Sequence, residues 1–199
     1  MRYDFFVTVW GRHFVRKFID LSLFSQLARG NIPALAKDAE IHYHIYTDRI
    51  SRSFFESSLL ELSKYTKIKF YYFDEIPYLY DTLDQAILNS DPEVIKHNVQ
   101  RVTSNHMLSG LQESAAVLLD SDFIMTDGSL SRMHALRKEG CQAVMVPLLR
   151  LNETSAKSVL YENQDFYLIA RNLVKLCIEH MHPILTQYFV DSEYSTSYP

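Results

Sequence analysis

The sequence is poor in the residues that mark disordered, cross-linked or membrane-spanning chains. Its 199 residues include only 5 glycines and 6 prolines, which argues against a low-complexity chain. The two cysteines, Cys141 and Cys177, cannot build a disulfide framework, and their apolar neighbours predict buried free thiols in a reducing compartment. No uncharged apolar stretch approaches the roughly 20 residues that span a bilayer, and the first residues do not resemble a signal peptide. We therefore expect a soluble cytoplasmic protein without a transmembrane segment.

A basic excess is also missing. Lys and Arg number 20 against 24 Asp and Glu, which gives a formal net charge of -4. Proteins that neutralise a phosphate backbone carry clustered positive charge, so we expect no nucleic acid partner. Hydrophobic residues are abundant at 47%, and 13 Tyr and 12 Phe are among them. That composition allows one domain to bury a large core with many half-buried rings.

Segments with strand-like and helix-like patterns alternate along the chain. The predicted strands are 3–9, 41–47, 67–73, 115–119 and 141–149. The predicted helices are 14–27, 51–65, 93–112, 129–138 and 164–189. Because parallel strands are joined by right-handed helical crossovers, this alternation predicts a three-layer α/β/α domain with a mainly parallel, Rossmann-like sheet. We place this α/β domain at 1–160, and a helical extension with a long C-terminal helix and a frayed tail at 161–199.

Local patterns refine the faces and ends of these helices. Phe14, Phe18 and Leu21 recur at helical spacing in the first predicted helix, and we expect all three to face the core. The second predicted helix begins near two serines, and Ser51 or Ser53 is its expected N-terminal cap. These patterns predict amphipathic helices that lie against a sheet.

The segments that follow the predicted strands contain most of the candidate ligand-binding residues. In open parallel sheets, ligands bind beyond the carboxyl ends of the strands. The order of elements along the chain therefore predicts which residues meet at that edge of the sheet. They are Thr8, Val9, Trp10, Thr47, Asp48, Asp120, Ser121 and Asp122.

Asp120 and Asp122 are the strongest candidates for a metal site. They follow the apolar strand 115–119, which would direct both carboxylates out of the sheet. Mg²⁺ and Mn²⁺ prefer oxygen ligands and are often held by one or two carboxylates together with substrate phosphates. The competing interpretation is local, since 13 aspartates make roughly one D-x-D expected by chance and Asp often caps turns. Asp127 is better interpreted as a cap for the helix that starts near Ser129.

Four stretches of the chain carry a family resemblance. They are residues 6–35, 41–48, 116–130 (AVLLDSDFIMTDGSL) and 143–155. The order of elements, in which strands alternate with helices up to an apolar strand that ends in D-x-D, resembles the nucleotide-binding half of GT-A-fold glycosyltransferases, the nucleotide-diphospho-sugar transferase superfamily. The four stretches also resemble a bacterial group of glycosyltransferase-like proteins. The resemblance implies a metal-dependent glycosyltransferase that binds a nucleotide-diphosphate sugar donor and transfers the sugar to an acceptor.

The same resemblance implies roles for individual residues. Asp120 and Asp122 would bind Mn²⁺ or Mg²⁺ and the diphosphate, with Ser121 between them in the same nucleotide-sugar site. The loop after the first strand would hold the nucleobase and ribose through Thr8, Val9 and Trp10. The same pocket would be bordered by Thr47 and Asp48.

Further polar residues have a weaker claim to the site. Arg101 and Asn105 share one face of the helix before the D-x-D strand, where Arg101 would clamp a diphosphate or simply be solvated. His106 is a candidate general base or a partly buried structural histidine. His180 and His182 lie two apart on a predicted helix and do not face the same way, so neither is assigned to the metal.

Two other functions remain open at this point. The relatives of this resemblance continue into an acceptor-binding part, so a catalytically incomplete GT-A-like domain that binds nucleotide without transfer is one alternative. The other is a haloacid-dehalogenase-type phosphatase with Asp120 as nucleophile and Asp122 as general acid. In that family's D-x-D-x-T/V motif, Ile124 stands where Thr or Val is found. A homodimer formed through the C-terminal helix is a further expectation.

Overall fold

A four-stranded parallel sheet forms the centre of the computed structural model. The structure describes residues 1–55, 59–73, 99, 104–105, 107–109, 114–146 and 148–186. The strands are β1 (Arg2–Thr8), β2 (Glu40–Thr47), β3 (Lys67–Tyr72) and β4 (Ala115–Asp120). Their order is β3-β2-β1-β4, and each neighbouring pair is parallel. The α/β class is thus confirmed, and four predicted strands are correct to within one residue at each end.

Most of the helices are short. In chain order they are α1 (Arg12–Lys17), a π-helix (Phe18–Leu23), α2 (Phe24–Gln26), α3 (Ile32–Leu35), α4 (Arg49–Arg52), a 3-10 helix (Ser53–Phe55), α5 (Leu59–Ser63), α6 (Ser129–Lys138), α7 (Glu153–Glu162), α8 (Gln164–Leu168), α9 (Ala170–Glu179) and α10 (Pro183–Thr186). None of the helices in the described part of the chain has the length and apolar content that crossing a membrane requires.

One face of the sheet packs against the larger group of helices. Phe5 and Tyr43, from the two central strands, are fully buried there with their rings stacked at 5.7 Å. They belong to the same cluster as Phe18 of the π-helix, Leu62 of α5 and Leu130 of α6. This cluster is the main core of the protein, and it explains why β1 and β2 are rich in apolar residues.

The opposite face of the sheet carries a second, smaller cluster near the carboxyl ends of the strands. Phe6 of β1 and Tyr46 of β2 pack there with Phe73 and with Val99 and Met107, two residues in helical conformation. Helical segments therefore lie on both faces of the sheet, as the three-layer prediction requires. The rest of the predicted helix 93–112 lies largely outside the described residues.

The first predicted helix is present but is not regular. The π-helix interrupts it, and the buried side of the segment passes through Val15, Phe18 and Leu21. Phe14 is 51% exposed and lies beside Lys17 at the rim, so its predicted place in the core is wrong. A π-turn adds a residue and rotates the apolar side, and Val15 rather than Phe14 begins the buried stripe.

The predicted strand at 141–149 is wrong. No residue of 141–146 or 148–149 is in a strand, and these side chains are exposed, with Met145 at 94%. Cys141 is exposed as well, against the expectation of a buried thiol, whereas Cys177 is buried and its pKa is raised by that burial. Apolar composition favours a strand only where a partner strand completes its hydrogen bonds, and this segment has none among the described residues.

The predicted long C-terminal helix is wrong too, because it is three helices, α8 to α10. The breaks fall at Ile169, which is extended, and at His180, which leaves the helical region. At the first break, the carbonyl of Leu168 accepts from the backbone N–H of Asp127 at 2.8 Å; at the second, that of His180 accepts from Asn152 at 2.7 Å. Hydrogen bonds to distant segments thus compensate for ending the helix. The frayed tail that was predicted lies outside the described residues.

Candidate functional site

The carboxyl ends of the four strands meet at one edge of the sheet. Thr8, the last residue of β1, lies opposite Asp120 of β4 and Tyr46 of β2. Thr47, at the end of β2, lies opposite Tyr72 of β3. The segments that were expected to converge therefore start side by side, and we call this region the carboxyl edge.

Asp120 is the last residue of β4, and Asp122 stands in the turn that follows. Both side chains are exposed, and Ser121 between them is half-buried. The turn is closed by the backbone, because the N–H of Phe123 donates to the carbonyl of Asp120 at 3.3 Å. Two exposed carboxylates suit a hard cation that keeps several waters and needs few protein ligands, so the donor set fits Mn²⁺ or Mg²⁺.

The loop after β1 contributes residues of three different kinds. Val9 is buried in the main core, and its backbone N–H donates to the carbonyl of Tyr46 at 2.9 Å, so Val9 packs rather than facing a ligand. Trp10 is half-buried and meets the ring of Phe73 edge-on at 5.4 Å. Thr8 is half-buried directly opposite Asp120. Of the three, Thr8 and Trp10 are therefore the residues whose side chains remain partly exposed at this edge.

Asp48 fastens the loops of β1 and β2 to each other. It caps α4, and its carboxylate accepts from the backbone N–H of Ser51 at 2.8 Å and from the Ser51 hydroxyl at 2.6 Å. The Ser51 hydroxyl in turn accepts from the backbone N–H of Gly11 at 2.8 Å. The cap of this helix is therefore Asp48, and the predicted caps, Ser51 and Ser53, are wrong. Thr47 beside it is fully buried, and its hydroxyl finds no hydrogen-bond partner among the described residues.

The segment after the D-x-D is held by residues from a distant loop. Asn31 accepts from the backbone N–H of Leu130 at 3.0 Å and donates to the carbonyl of Thr126 at 2.9 Å. Gly128 is the N-cap of α6, and the Asp127 carboxylate accepts instead from the backbone N–H of Gly30 at 2.5 Å. The prediction that Asp127 caps α6 is therefore wrong, since a side chain from another loop serves that helix end.

Two other predicted residues, Arg101 and His106, lie outside the described residues. A pocket of about 470 Å³ opens elsewhere, beside α1, the π-helix and α7. Inside it, Lys17 pairs with Glu153, which also accepts from the Tyr161 hydroxyl at 2.9 Å. The residues that line this pocket include none of the predicted ligand-binding set.

A cluster of Asp4, His42 and His44 lies in the sheet itself, away from the carboxyl edge. Among the described residues it is the one group of three or more His, Cys, Asp or Glu side chains whose ligand atoms lie together, all within 4.8 Å of one another. Oδ1 of Asp4 is 2.8 Å from Nε2 of His44 and 3.7 Å from Nδ1 of His42. Its Oδ2 accepts from the Arg2 guanidinium at 3.1 Å. We call these three residues the strand cluster.

Each histidine of the strand cluster has an outer partner. Nε2 of His42 is 2.9 Å from the Glu40 carboxylate, and Nδ1 of His44 is 3.3 Å from the Tyr71 hydroxyl. The His44 ring also stacks on Phe6 with centroids 4.7 Å apart. Both imidazoles are thereby fixed in rotation.

Burial and charge shift the protonation of the strand cluster in defined directions. Burial raises the pKa of Asp4, but His44 and Arg2 outweigh it, so the pKa lies below its ordinary value. The Ser114 hydroxyl has no hydrogen-bond partner among the described residues, so the contacts with His44 and Arg2 account for the direction of this shift. For His44, burial lowers the pKa, and the Asp4 carboxylate offsets only part of that effect. Asp4 is therefore anionic and His44 neutral near neutral pH.

The sequence contains a signal for the strand cluster, but the signal is divided between two strands. Side chains two apart on a strand share one face, so the H-x-H of β2 places His42 and His44 together. An aspartate in the apolar run of β1 is the second half of that signal, because a buried carboxylate needs partners. Only the register, in which Asp4 lies opposite His42, joins the two halves.

Comparison with known proteins gives likenesses to solved structures but no match to a family or a curated protein. No protein-family model matches the chain, and no curated protein matches it. The crystal structure of mouse xyloside xylosyltransferase 1 in its apo form is similar, with a TM-score of 0.48 and 12% sequence identity. The likeness covers 75% of this chain and 53% of that one, so the chain spans about half the length of the mouse protein. A likeness of this size assigns neither a family nor a function.

Proposed function

We propose that the chain is a glycosyltransferase-like protein that binds a nucleotide-diphosphate sugar at the carboxyl edge, through Mn²⁺ or Mg²⁺ held by Asp120 and Asp122. The observation that carries the proposal is the position of Asp120, which ends β4 beside Thr8 in a parallel sheet. Ligands of such sheets bind beyond this edge. The exposed carboxylate of Asp122 lies two residues further on.

The bound ion would act as a Lewis acid that neutralises charge on a departing diphosphate. The chain's own residues would position the nucleotide. The Trp10 ring, which Phe73 holds edge-on, offers a face on which a base stacks. Asp48 acts indirectly, because the contacts through Ser51 to Gly11 fix the loop that carries Trp10. Arg101 remains the proposed clamp for the diphosphate.

A thermal-shift series with UDP and GDP, with and without Mn²⁺, tests this site. A ligand that binds only the folded state raises the melting temperature through mass action. We expect a shift that needs both nucleotide and metal in the unaltered protein and that disappears in Asp122→Ala. Asp165→Asn is the control, because Asp165 is an exposed aspartate on α8 and belongs neither to the D-x-D nor to the loops after β1 and β2.

Two outcomes would overturn this proposal. One is the absence of a shift with either nucleotide in the presence of Mn²⁺. The other is an undiminished shift in Asp122→Ala, which would place the nucleotide elsewhere. If Asp165→Asn also loses the shift, the loss in Asp122→Ala is not specific to the D-x-D, and the proposal is likewise overturned.

A binding domain without transfer activity is the second candidate. It is favoured by one observation, that within the described ranges no third His, Cys, Asp or Glu joins Asp120 and Asp122 at ligand distance. Donor hydrolysis and transfer are measured by the nucleoside diphosphate released from a panel of nucleotide sugars. Binding without release would favour this candidate, and metal-dependent release would favour the transferase.

A further inference from the structure

We propose that the strand cluster, Asp4, His42 and His44, is a second metal site, which binds a divalent transition-metal ion of the zinc class. The three ligand atoms lie within 4.8 Å of one another on one face of the two central strands. This site is separate from the carboxyl edge, and it does not depend on the nucleotide proposal. Along β1, Asp4 lies four residues before Thr8, roughly 13 Å away at the usual rise of a strand.

The separations between the ligand atoms suit an ion placed between them. Zinc lies about 2.0–2.1 Å from nitrogen and oxygen ligands, so tetrahedral ligands are roughly 3.4 Å apart. The distances from Oδ1 of Asp4 are 2.8 Å to His44 and 3.7 Å to His42, on either side of that value. Shifts of about half an ångström, within the range of side-chain rotation, would equalise them.

The nitrogen of His42 that faces Asp4 is the clearest single indication. At 3.7 Å it is too far from Oδ1 for a hydrogen bond. Its other nitrogen is already engaged by Glu40 at 2.9 Å, which turns Nδ1 toward the carboxylate. The spacing is close to the roughly 3.4 Å that separates two ligands of one tetrahedral ion.

The outer partners are those that metal-bound histidines usually have. A ligating imidazole donates its other N–H to a carboxylate or another oxygen, which fixes the tautomer and ring orientation. Glu40 is in that position for His42, and the Tyr71 hydroxyl is in that position for His44. Arg2 occupies Oδ2 of Asp4 and leaves Oδ1 toward the two imidazoles.

The ligand set determines the class of ion. Two imidazoles and one carboxylate suit Zn²⁺, Co²⁺ and related ions better than Mg²⁺ or Ca²⁺, which prefer oxygen alone. Three protein ligands leave a fourth position for water. The His42 side chain is 26% exposed, so water and an ion can reach the cluster past His42.

The test is calorimetric titration of metal-free protein with Zn²⁺, supported by absorption spectra with Co²⁺. We expect one ion per chain, with a dissociation constant of about 1 µM or tighter. His42→Gln should weaken binding by about 100-fold or more, while His13→Gln, at an exposed histidine of α1, should bind like the unaltered protein. Far-UV circular dichroism of each metal-free variant checks that the sheet is intact.

A ligand exchange provides a second and direct measurement. His42→Cys puts a thiolate at the proposed coordination position, so its Co²⁺ complex should gain a sulfur-to-cobalt charge-transfer band that the unaltered protein lacks. The proposal is overturned if the unaltered protein shows no saturable binding of Zn²⁺. It is equally overturned if His42→Gln binds with unchanged affinity, or if Co²⁺-loaded His42→Cys shows no sulfur band.

Discussion

The carboxyl edge and the strand cluster are two candidate metal sites that differ in the exposure of their residues and in the kinds of ligand atom they offer. At the edge, Asp120 and Asp122 are exposed and offer only oxygen, so a substrate phosphate has to complete the coordination. In the strand cluster, Asp4 is buried, and two imidazoles with their own outer partners complete the set. The first would hold an ion only together with its ligand, whereas the second is arranged in advance.

This difference follows from where each group stands on its strand. Residues beyond a strand end are not confined by the sheet, so their side chains reach solvent and substrate. Asp4 and His42 lie within strands, opposite each other in register, where the backbone fixes their separation. A site within the sheet is therefore more rigid and more selective, and a site at its edge is more accessible.

The largest expected effect concerns the packing of the sheet face between the two regions. Phe6 and Leu118 are opposite each other on β1 and β4, but Phe6 is 5% exposed and stacks on His44, whereas Leu118 is 62% exposed. Phe6→Ala should reduce the free energy of unfolding by about 3–5 kcal/mol, and Leu118→Ala by less than about 0.5 kcal/mol. Urea unfolding of both variants measures this. If both variants lose the same free energy of unfolding, this face of the sheet is packed equally at Phe6 and at Leu118, and the expected difference is wrong.

The next effect separates the two ions. His42→Gln should lose about 100-fold in Zn²⁺ affinity and keep the melting-temperature shift that nucleotide and Mn²⁺ produce. Asp122→Ala should lose that shift and keep its Zn²⁺ affinity. The Zn²⁺ titration and the thermal-shift series with nucleotide and Mn²⁺ are both carried out on each variant. If either variant loses both responses, the two regions form one site, and the comparison is broken.

A smaller effect is expected at the loop that supports the edge. Asp48→Ala removes the cap of α4 and the acceptor for Ser51, which should cost about 1 kcal/mol in chemical denaturation. Nucleotide affinity should fall with it, because the loop of Trp10 loses its anchor. Asp48→Asn can still accept from the Ser51 N–H and is the control. An affinity that falls equally in both variants would mean that Asp48 contacts the nucleotide through its charge.

The smallest effect is a control for charge at the ion pair of Lys17 and Glu153, which belongs to neither region. Burial raises the pKa of Glu153, but Lys17 and Tyr161 outweigh it, so the folded-state pKa lies below the unfolded value. The ionised group therefore stabilises the fold above the unfolded pKa, and this contribution is lost as the pH falls through the folded pKa. The carboxylate is 41% exposed, so solvent screening limits the contribution to below about 1 kcal/mol.

Glu153→Gln measures that contribution. The difference in unfolding free energy between the unaltered protein and this variant should be largest near neutral pH and should vanish in acid. A difference that stays constant with pH would show that packing rather than charge is responsible. Zn²⁺ binding should not change in the variant, since Glu153 lies on α7 and contacts neither region.

The parts of the fold that sequence predicted well are those that depend on local patterns. The strands β1 to β4 were found because each is an apolar or alternating run of strand length, and their ends could be placed at one edge because parallel strands share a direction. The predictions for Phe14, Cys141 and Asp127 were wrong for the opposite reason. Each depended on which distant segment lies nearby, and local pattern carries no such information.

The same distinction applies to the two candidate sites. The sequence by itself determined the D-x-D at the end of an apolar strand, because Asp120 ends that strand and Asp122 lies two residues later in the chain. It also contained the H-x-H of β2 and the isolated Asp4 of β1, without any relation between them. Only the tertiary structure decided that Asp4 lies opposite His42, because the register of two parallel strands is set by the packing of their apolar faces. A site formed across strands becomes visible only once that register is known.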